Sequence, residues 1–458
     1  MTNLKMRFKK ILSKETNRDI FKNIIASFFV KGASIILALF TTPAYMRYFN
    51  NDTALGVWFT VVSIINWVLM FDLGIGNGLR NKLPKAIEDN NKKEQQELIS
   101  SAYISIFLLS IVFLIILLIA NNFINWNVVL NVDNKVLSLH ILRVSMGILI
   151  VGIVLRLVLN LNSSIFFAIQ KSSINNLIGL FSTLFLFIYV TFSNVGSISS
   201  NFIKLSIANT VLSNLPLLIG TVYIFMVPFK KMLPRIKYFK LDKAKEILKI
   251  GTILLWLQVV FMIIASTHAF LITSFRSPDE VVEYNIYYKV YYGILSIFYL
   301  SLTPIWSAVT KAQAKKDYKW IYKLYIVLLV ITIPFLIINF ASLPFLQRFF
   351  DIWLKEKTIP VNNMYVISFI LFNFFFAIHN VNTSIFNGLS DFKIQNIWMT
   401  FAAIIFIPLC YLFTIVFDNW IGVIVGSIIC VIPYEVIQIV FGIKKLNKLK
   451  NKECVRNV

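Results

Sequence analysis

"NLNSSIFFAI" (Asn160–Ile169) and "NVNTSIFNGL" (Asn380–Leu389) are nearly one phrase written twice, 220 residues apart. Asn160, Asn162, Ser164, Ile165 and Phe166 match Asn380, Asn382, Ser384, Ile385 and Phe386 at that offset. Ser163 matches Thr383, and Ile174 and Asn176 match Ile394 and Asn396. Both copies end apolar stretches, so the setting of those stretches decides what the repetition means.

The chain has 458 residues, of which 58% are hydrophobic and 14% charged, with a mean hydropathy of +0.76. A soluble protein of this length needs more polar surface than that to cover its core. Apolar runs near spanning length recur throughout, such as "LYIVLLVITIPFLIINFASLPFL". The expected class is an all-α integral membrane protein. Twelve spans are placed at 22–48, 54–80, 98–120, 137–162, 174–193, 201–227, 247–273, 283–309, 322–347, 362–388, 394–416 and 419–442. No connection is long enough to hold a soluble domain.

The net charge of +23 raises nucleic acid as a partner, and its distribution removes it. The linker "FKKMLPRIKYFKLDKAKEILK", the loop "KAQAKKDYKW" and the C-terminal tail carry most of the Lys and Arg. The alternate loops hold little beyond Arg47, Lys135, Arg276, Arg348, Lys355 and Lys357. This is the positive-inside bias, and it sets both termini in the cytoplasm. Residues 1–21 read as a basic amphipathic segment on the inner surface, attracted to anionic lipid, without the apolar core and cleavage site of a signal peptide.

The basic linker, 228–246, divides the chain into six-span bundles at 22–227 and 247–442, with a basic tail at 443–458. The repeated phrase ends the fourth span of each half. Equal, even span numbers give the halves the same orientation, a parallel repeat about an axis along the membrane normal. Two such bundles are expected to form a V-shaped central cavity. Each half then offers a polar strip: Arg156, Asn160, Ser163 and Ser164 on one, Asn373, Asn380, Ser384 and Asn387 on the other. Hydrogen bonding within each bundle is the alternative use of the same small polar residues.

Ionisable residues inside spans are more discriminating. Lys31, Arg156 and Lys289 each cost about 2.5–3.5 kcal/mol on insertion scales and are expected to face protein or water. The acids clearly within spans are Asp72 and Glu435, and Asp72 has Arg80 two turns away on its own helical face. Cations therefore outnumber acids, and an anionic substrate or fixed ion pairs between helices would compensate them. The glycines of "FDLGIGNGLRNKL" (Phe71–Leu83) fit close packing or a bend, since neither a preceding strand nor a Gly-Lys-Ser/Thr is present. Tyr284, Tyr287, Tyr288, Tyr291 and Tyr292 around Lys289 read as an interfacial aromatic belt or as sugar-stacking rings. The three cysteines and three histidines are scattered singly, so no metal or cofactor is expected.

With its twelve spans in two halves, a Lys-bearing first span and "FDLGIGNGLRNKL" after the second, the chain resembles the Wzx-type O-antigen and capsular polysaccharide flippases. That superfamily also contains MATE exporters and lipid II flippases. The resemblance covers essentially the whole chain. It implies transport of an undecaprenyl-diphosphate-linked oligosaccharide across the bacterial cytoplasmic membrane, with polysaccharide polymerase and chain-length machinery as partners. It also implies that Lys31, Arg156 and Lys289 bind the diphosphate while Asn160, Ser163, Ser164, Asn373, Asn380 and Ser384 line the cavity. Asp72, Arg80 and Glu435 are then candidates for coupling or gating. Lys31 and Lys289 stand where lipid II flippases more usually have Arg, which puts a point charge in place of a bidentate fork. A MATE-like drug exporter would be expected to put acids in its cavity, and a glycan polymerase or ligase to carry a large outer loop. The chain has few of the first and none of the second, so a non-enzymatic carrier is the expectation.

Overall fold

The computed structural model describes residues 15–69, 74–169, 171–230 and 232–456. Residues 1–14 of the expected surface segment and Asp72 lie outside them. The described chain is helical without strands, as lipid requires of a structure that must satisfy its own backbone. In the first half the helices are α1 (Glu15–Phe49), α2 (Asp52–Val68), α3 (Ile75–Glu88), α4 (Lys92–Phe123), α5 (Trp126–Val129), α6 (Leu139–Leu159), α7 (Leu161–Ala168), α8 (Ser172–Phe192) and α9 (Ile198–Met226). After a 3-10 turn at Ile236–Tyr238 come α10 (Leu241–Ser266), α11 (His268–Phe275), α12 (Pro278–Ala314), α13 (Tyr318–Ala341), α14 (Leu343–Leu354), α15 (Asn363–Gly388), α16 (Lys393–Phe417) and α17 (Ile421–Arg456).

Each expected span falls on a helix or a consecutive pair. Among the described residues nine helices are long and apolar enough to cross a membrane, ten if the pair bent by 48° at Ser266–His268 counts as one. The protein is a multi-pass membrane protein. The second expected span is not one helix: α2 stops at Val68 and α3 begins at Ile75, after Gly74 in a left-handed conformation at φ 71°. Glycine adopts that φ at no steric cost, so "GIGNG" starts a new helix. An added Cβ on Gly78 would run into the backbone of Ile247, which is the close packing expected of that motif.

Polar residues set the helix ends. Ser138, Asn91, Asp317 and Asn362 each accept a backbone N–H of the first turn of α6, α4, α13 and α15. Chain contacts group into two compact units. The first comprises the described residues up to Phe49, Ile65–Val129 and Asp133–Trp256. Its core joins α3, α4, α7 and α9 through Leu79, Leu83, Ile99, Ile165, Phe166 and Leu217. Glu94 takes Lys243 at 2.5 Å while Lys82 pairs with Glu246, which fastens the start of α10 to α3 and α4. The second unit comprises Asn50–Ile64, Leu130–Val132 and Leu257 onwards. Gly422 and Gly426 bring α17 against the backbone of Phe413, Thr414 and Cys410 on α16, the small-residue spacing that lets membrane helices approach closely.

Candidate functional site

In the first unit, Lys31 on α1 and Arg156 on α6 are half-buried. Asn160 marks the break between α6 and α7: it is exposed, and its N–H closes on the Arg156 carbonyl at 2.8 Å. Ser163 places its hydroxyl 2.5 Å from Asn175 Oδ1, with Asn160 Oδ1 at 3.1 Å and Asn162 Oδ1 at 3.3 Å. Ser164 beside it is half-buried. Asn162 is wholly buried and donates to the Leu217 carbonyl on α9 at 2.8 Å and to Thr221 Oγ1 at 3.3 Å. Gly220 makes room for that amide, since a Cβ there would stand 3.1 Å from Asn162 Nδ2. Arg80 is exposed, its guanidinium 4.3 Å from the centroid of the Phe167 ring.

In the second unit, Lys289 on α12 is half-buried with its Nζ 5.3 Å from the Phe59 centroid. The surrounding tyrosines do not form an interfacial belt. Tyr284, Tyr287 and Tyr291 are inside the unit, and Phe369 stacks on Tyr287 and Tyr291 with interplanar angles of 6° and 8°. Tyr292, stacked on Tyr288 at 5.1 Å, is exposed. Asn373 is wholly buried and ties three helices, donating to the Tyr291 carbonyl at 2.8 Å and to Asn339 Oδ1 at 2.9 Å. Asn380 donates to the Phe376 carbonyl of its own helix at 2.8 Å, and Ser384 is buried.

Glu435 is 1% exposed in the middle of α17. Its Oε1 lies 3.0 Å from His379 Nδ1, and its Oε2 accepts from Asn382 Nδ2 at 2.6 Å. Asn382 Oδ1 in turn accepts from the Tyr325 hydroxyl at 2.6 Å. Thr383 Oγ1 stands 3.4 Å from His379 Nε2, and the Phe261 ring stacks on the imidazole at 5.4 Å. Four buried polar side chains from α13, α15 and α17 thus form one connected network.

No family model matches the chain. A Yersinia pseudotuberculosis protein named for O-antigen export is 24% identical over 293 residues, which are 58% of this chain and 60% of that protein. The chain therefore aligns with less than two thirds of that relative's length. Among solved structures, an inward-facing multidrug-resistance MATE transporter of the MOP superfamily superposes with a TM-score of 0.73 at 13% identity, covering 93% of this chain and 99% of its own. The chain shares the fold of that transporter. A MOP-superfamily transporter from Pyrococcus furiosus, described by the reverse polarity of its binding pocket, gives 0.65 at 13% identity over 94% of this chain and 96% of its own. An outward-facing MATE transporter gives 0.62 at 13% identity over 94% and 96%. Together with the O-antigen export relative, these bear out the resemblance to Wzx-type flippases read from the sequence.

Within this fold, sequence reasoning singled out Glu435 and missed its partner. His379 stands directly before the repeated phrase, yet it is a lone histidine 56 residues from the acid it meets. A buried carboxylate in a span needs a donor, and a histidine on another span is the residue type to look for.

Proposed function

We propose that the protein is a flippase that carries undecaprenyl-diphosphate-linked oligosaccharide units across the bacterial cytoplasmic membrane by alternating access, with both termini in the cytoplasm. The observation that carries this reading is the surplus of cations over acids within the described membrane helices. Lys31, Arg156 and Lys289 are half-buried on helices of spanning length, while Glu435 is taken up by His379 and Asn382. A diphosphate brings negative charge and accepts from ammonium and guanidinium groups alike. Asn160, Ser163 and Ser164 at the α6–α7 break, with Asn380 in the second half, offer amide and hydroxyl groups of the kind that sugars need. The O-antigen export relative supports the substrate class. Carriage of this kind needs no chemical step, so no catalytic residue is assigned. Polysaccharide polymerase and chain-length proteins are proposed as neighbours of the transported product.

Native mass spectrometry of the purified protein tests this, beside a Lys31→Ala, Lys289→Ala double variant. A co-purifying polyprenyl-diphosphate glycan in the wild type, depleted in the variant, supports substrate and cations together. Wild-type protein that retains no such lipid and binds lipophilic cations instead would replace this reading with a drug exporter.

A further inference from the structure

We infer that His379 and Glu435 form a proton-binding site that couples this carrier to the proton gradient, and that the site takes a proton and not a sodium ion. The coupling role rests on the carrier reading above; the site itself does not.

The first support is an asymmetry between the repeated halves. In the first half, the residue before the repeated phrase is Leu159 and the residue reached by the buried asparagine is Leu217, through its backbone carbonyl. In the second half the corresponding residues are His379 and Glu435. Leu159 and Leu217 are buried, as His379 and Glu435 are. In the first half the fourth span thus docks onto the sixth through uncharged groups: Asn162 on the Leu217 carbonyl and Thr221, with Asn214 and Thr210 on the Gly152 and Ile148 carbonyls. A buried carboxylate and imidazole add desolvation cost to a joint the same fold makes without them.

The second support is the arrangement of donors. Asn382 donates to one carboxylate oxygen, and His379 Nδ1 faces the other. The Tyr325 hydroxyl donates to the Asn382 oxygen. A sodium ion needs converging oxygen lone pairs, whereas here N–H and O–H groups point at the oxygens it would use. A proton needs no such shell. With neutral His379 donating through Nδ1, the pair carries one negative charge. One added proton on the carboxyl brings the pair to zero net charge and breaks no covalent bond. A conformational change that admits water to the site gives the proton a way out, which ties its release to the transport cycle.

The neighbouring helices leave the pair little electrostatic competition. Around the pair, α13 contributes Tyr325, with Lys319 and Lys323 confined to its first two turns. On α15 the remaining titratable residue is Tyr365, and α12 meets that helix at Tyr291–Asn373 before His379 and at Thr310–Gly388 after it, carrying between those points Tyr292 and Tyr299 but no Lys, Arg, His, Asp or Glu. On α10, which supplies Phe261, the charged residues all fall before Ile250. From α16 come Cys410 and Tyr411, with Lys393 at its first position. On α11, His268 is engaged by Ser427 at 2.8 Å. Along α17 itself stand Cys430 and Tyr434, with Lys444 and Lys445 more than two turns on, Lys445 paired to Asp391.

Infrared difference spectroscopy of the full-length protein between acid and neutral pH reads the site directly. A protonated-carboxyl band that appears in the wild type and is missing in E435Q is expected, with its midpoint moved by about one pH unit or more in H379Q. The band is expected to stay put when potassium is exchanged for sodium. A band unchanged in E435Q, or a midpoint moved by sodium, overturns the assignment, and H379Q still reads the site if E435Q does not fold. In proteoliposomes, a pH gradient is expected to drive lipid-linked glycan across in the wild type and not in E435Q. Equal, gradient-independent flipping by both would overturn the coupling and leave the flippase. Pumping of a lipophilic cation in place of glycan, still dependent on Glu435, would keep the proton site and overturn the substrate.

Discussion

Asn162 and Asn382, 220 residues apart and both wholly buried, each hydrogen-bond from the fourth span of their half to the sixth, one to the Leu217 carbonyl and the other to the Glu435 carboxylate. The repeated phrase is at these positions a device for joining helices within a bundle. The flanking Asn160 and Asn380, exposed and half-buried, are the copies left for other work.

The two joints differ in what their loss leaves behind. Asn162→Leu removes a donor from a carbonyl that already serves its own helix, and interhelical bonds in membranes are worth about 0.6–2 kcal/mol. Asn382→Leu strips a donor from a buried carboxylate and leaves the Tyr325 hydroxyl facing a methyl group, which costs more, about 2–4 kcal/mol. Thermal unfolding in detergent is expected to rank Asn382→Leu below Asn162→Leu, and both below wild type. The reverse order would mean that Glu435 does not depend on Asn382.

What the sequence disclosed and what it withheld follow from the range of each interaction. Hydrophobic length is a one-dimensional property, so apolar runs located the helices, while the glycines near Gly74, read as packing or a bend within one span, stand where α3 begins as a separate helix. The sequence repeat was legible because both copies keep the same residues in the same order. The partners of those residues were not. Asn162 meets α9 55 residues on, and Asn382 meets Glu435 53 residues on. Nothing local distinguishes Asn373, locked against Tyr291 and Asn339, from Asn380, bonded to its own helix. The tyrosines around Lys289 read as a surface belt or as sugar-stacking rings because their spacing is shared by any helix face, whereas Phe369 from another helix covers Tyr284, Tyr287 and Tyr291.

Gly56 and Gly32 make opposite predictions from the same substitution. A Cβ on Gly56 would fall on the carbonyl of Pro278, at the first residue of α12, while one on Gly32 would meet nothing within 4 Å. Alanine gains about 1 kcal/mol over glycine in a helix interior, and overpacking costs about 1–3 kcal/mol. Gly56→Ala is therefore expected to lower the melting temperature and Gly32→Ala to leave it unchanged or raise it. Equal behaviour of the two would show that α2 does not need its close approach to Pro278.

The polar fastening of α10 onto α3 and α4 has a pH signature. Lys82 beside Glu246 holds that carboxyl below its ordinary range, and Glu94 holds the Lys243 ammonium above its own. A depressed acid contributes stability that is complete above the usual carboxylate range and is lost as pH falls through the lowered value. A raised lysine contributes stability that is complete below the usual lysine range and is lost as pH rises through the raised value. The melting temperature is thus expected to plateau between the two ranges and fall on both sides, modestly, because these side chains are partly solvated. Glu246→Gln should flatten the acid limb and weaken the alkaline one only in part, since Glu94 remains the chief partner of Lys243. An unchanged acid limb in that variant would assign acid sensitivity to other carboxyls.

Lys289 and Phe59 separate a binding role from a structural one. An ammonium 5.3 Å from a ring centroid is within cation–π range, an interaction worth about 0.5–2 kcal/mol, the upper value when desolvated. If Lys289 grips the diphosphate, Phe59 competes with the substrate for the same charge. Phe59→Leu keeps the apolar volume and removes the ring face, so lipid-linked glycan should be retained as well or better, by up to roughly thirtyfold in affinity. Lys289→Ala should lose it. Retention by native mass spectrometry, set beside melting temperature, distinguishes the roles. If both variants lower stability equally and leave lipid retention alone, Lys289 serves to hold α12 against α2, and the diphosphate falls to Lys31 and Arg156.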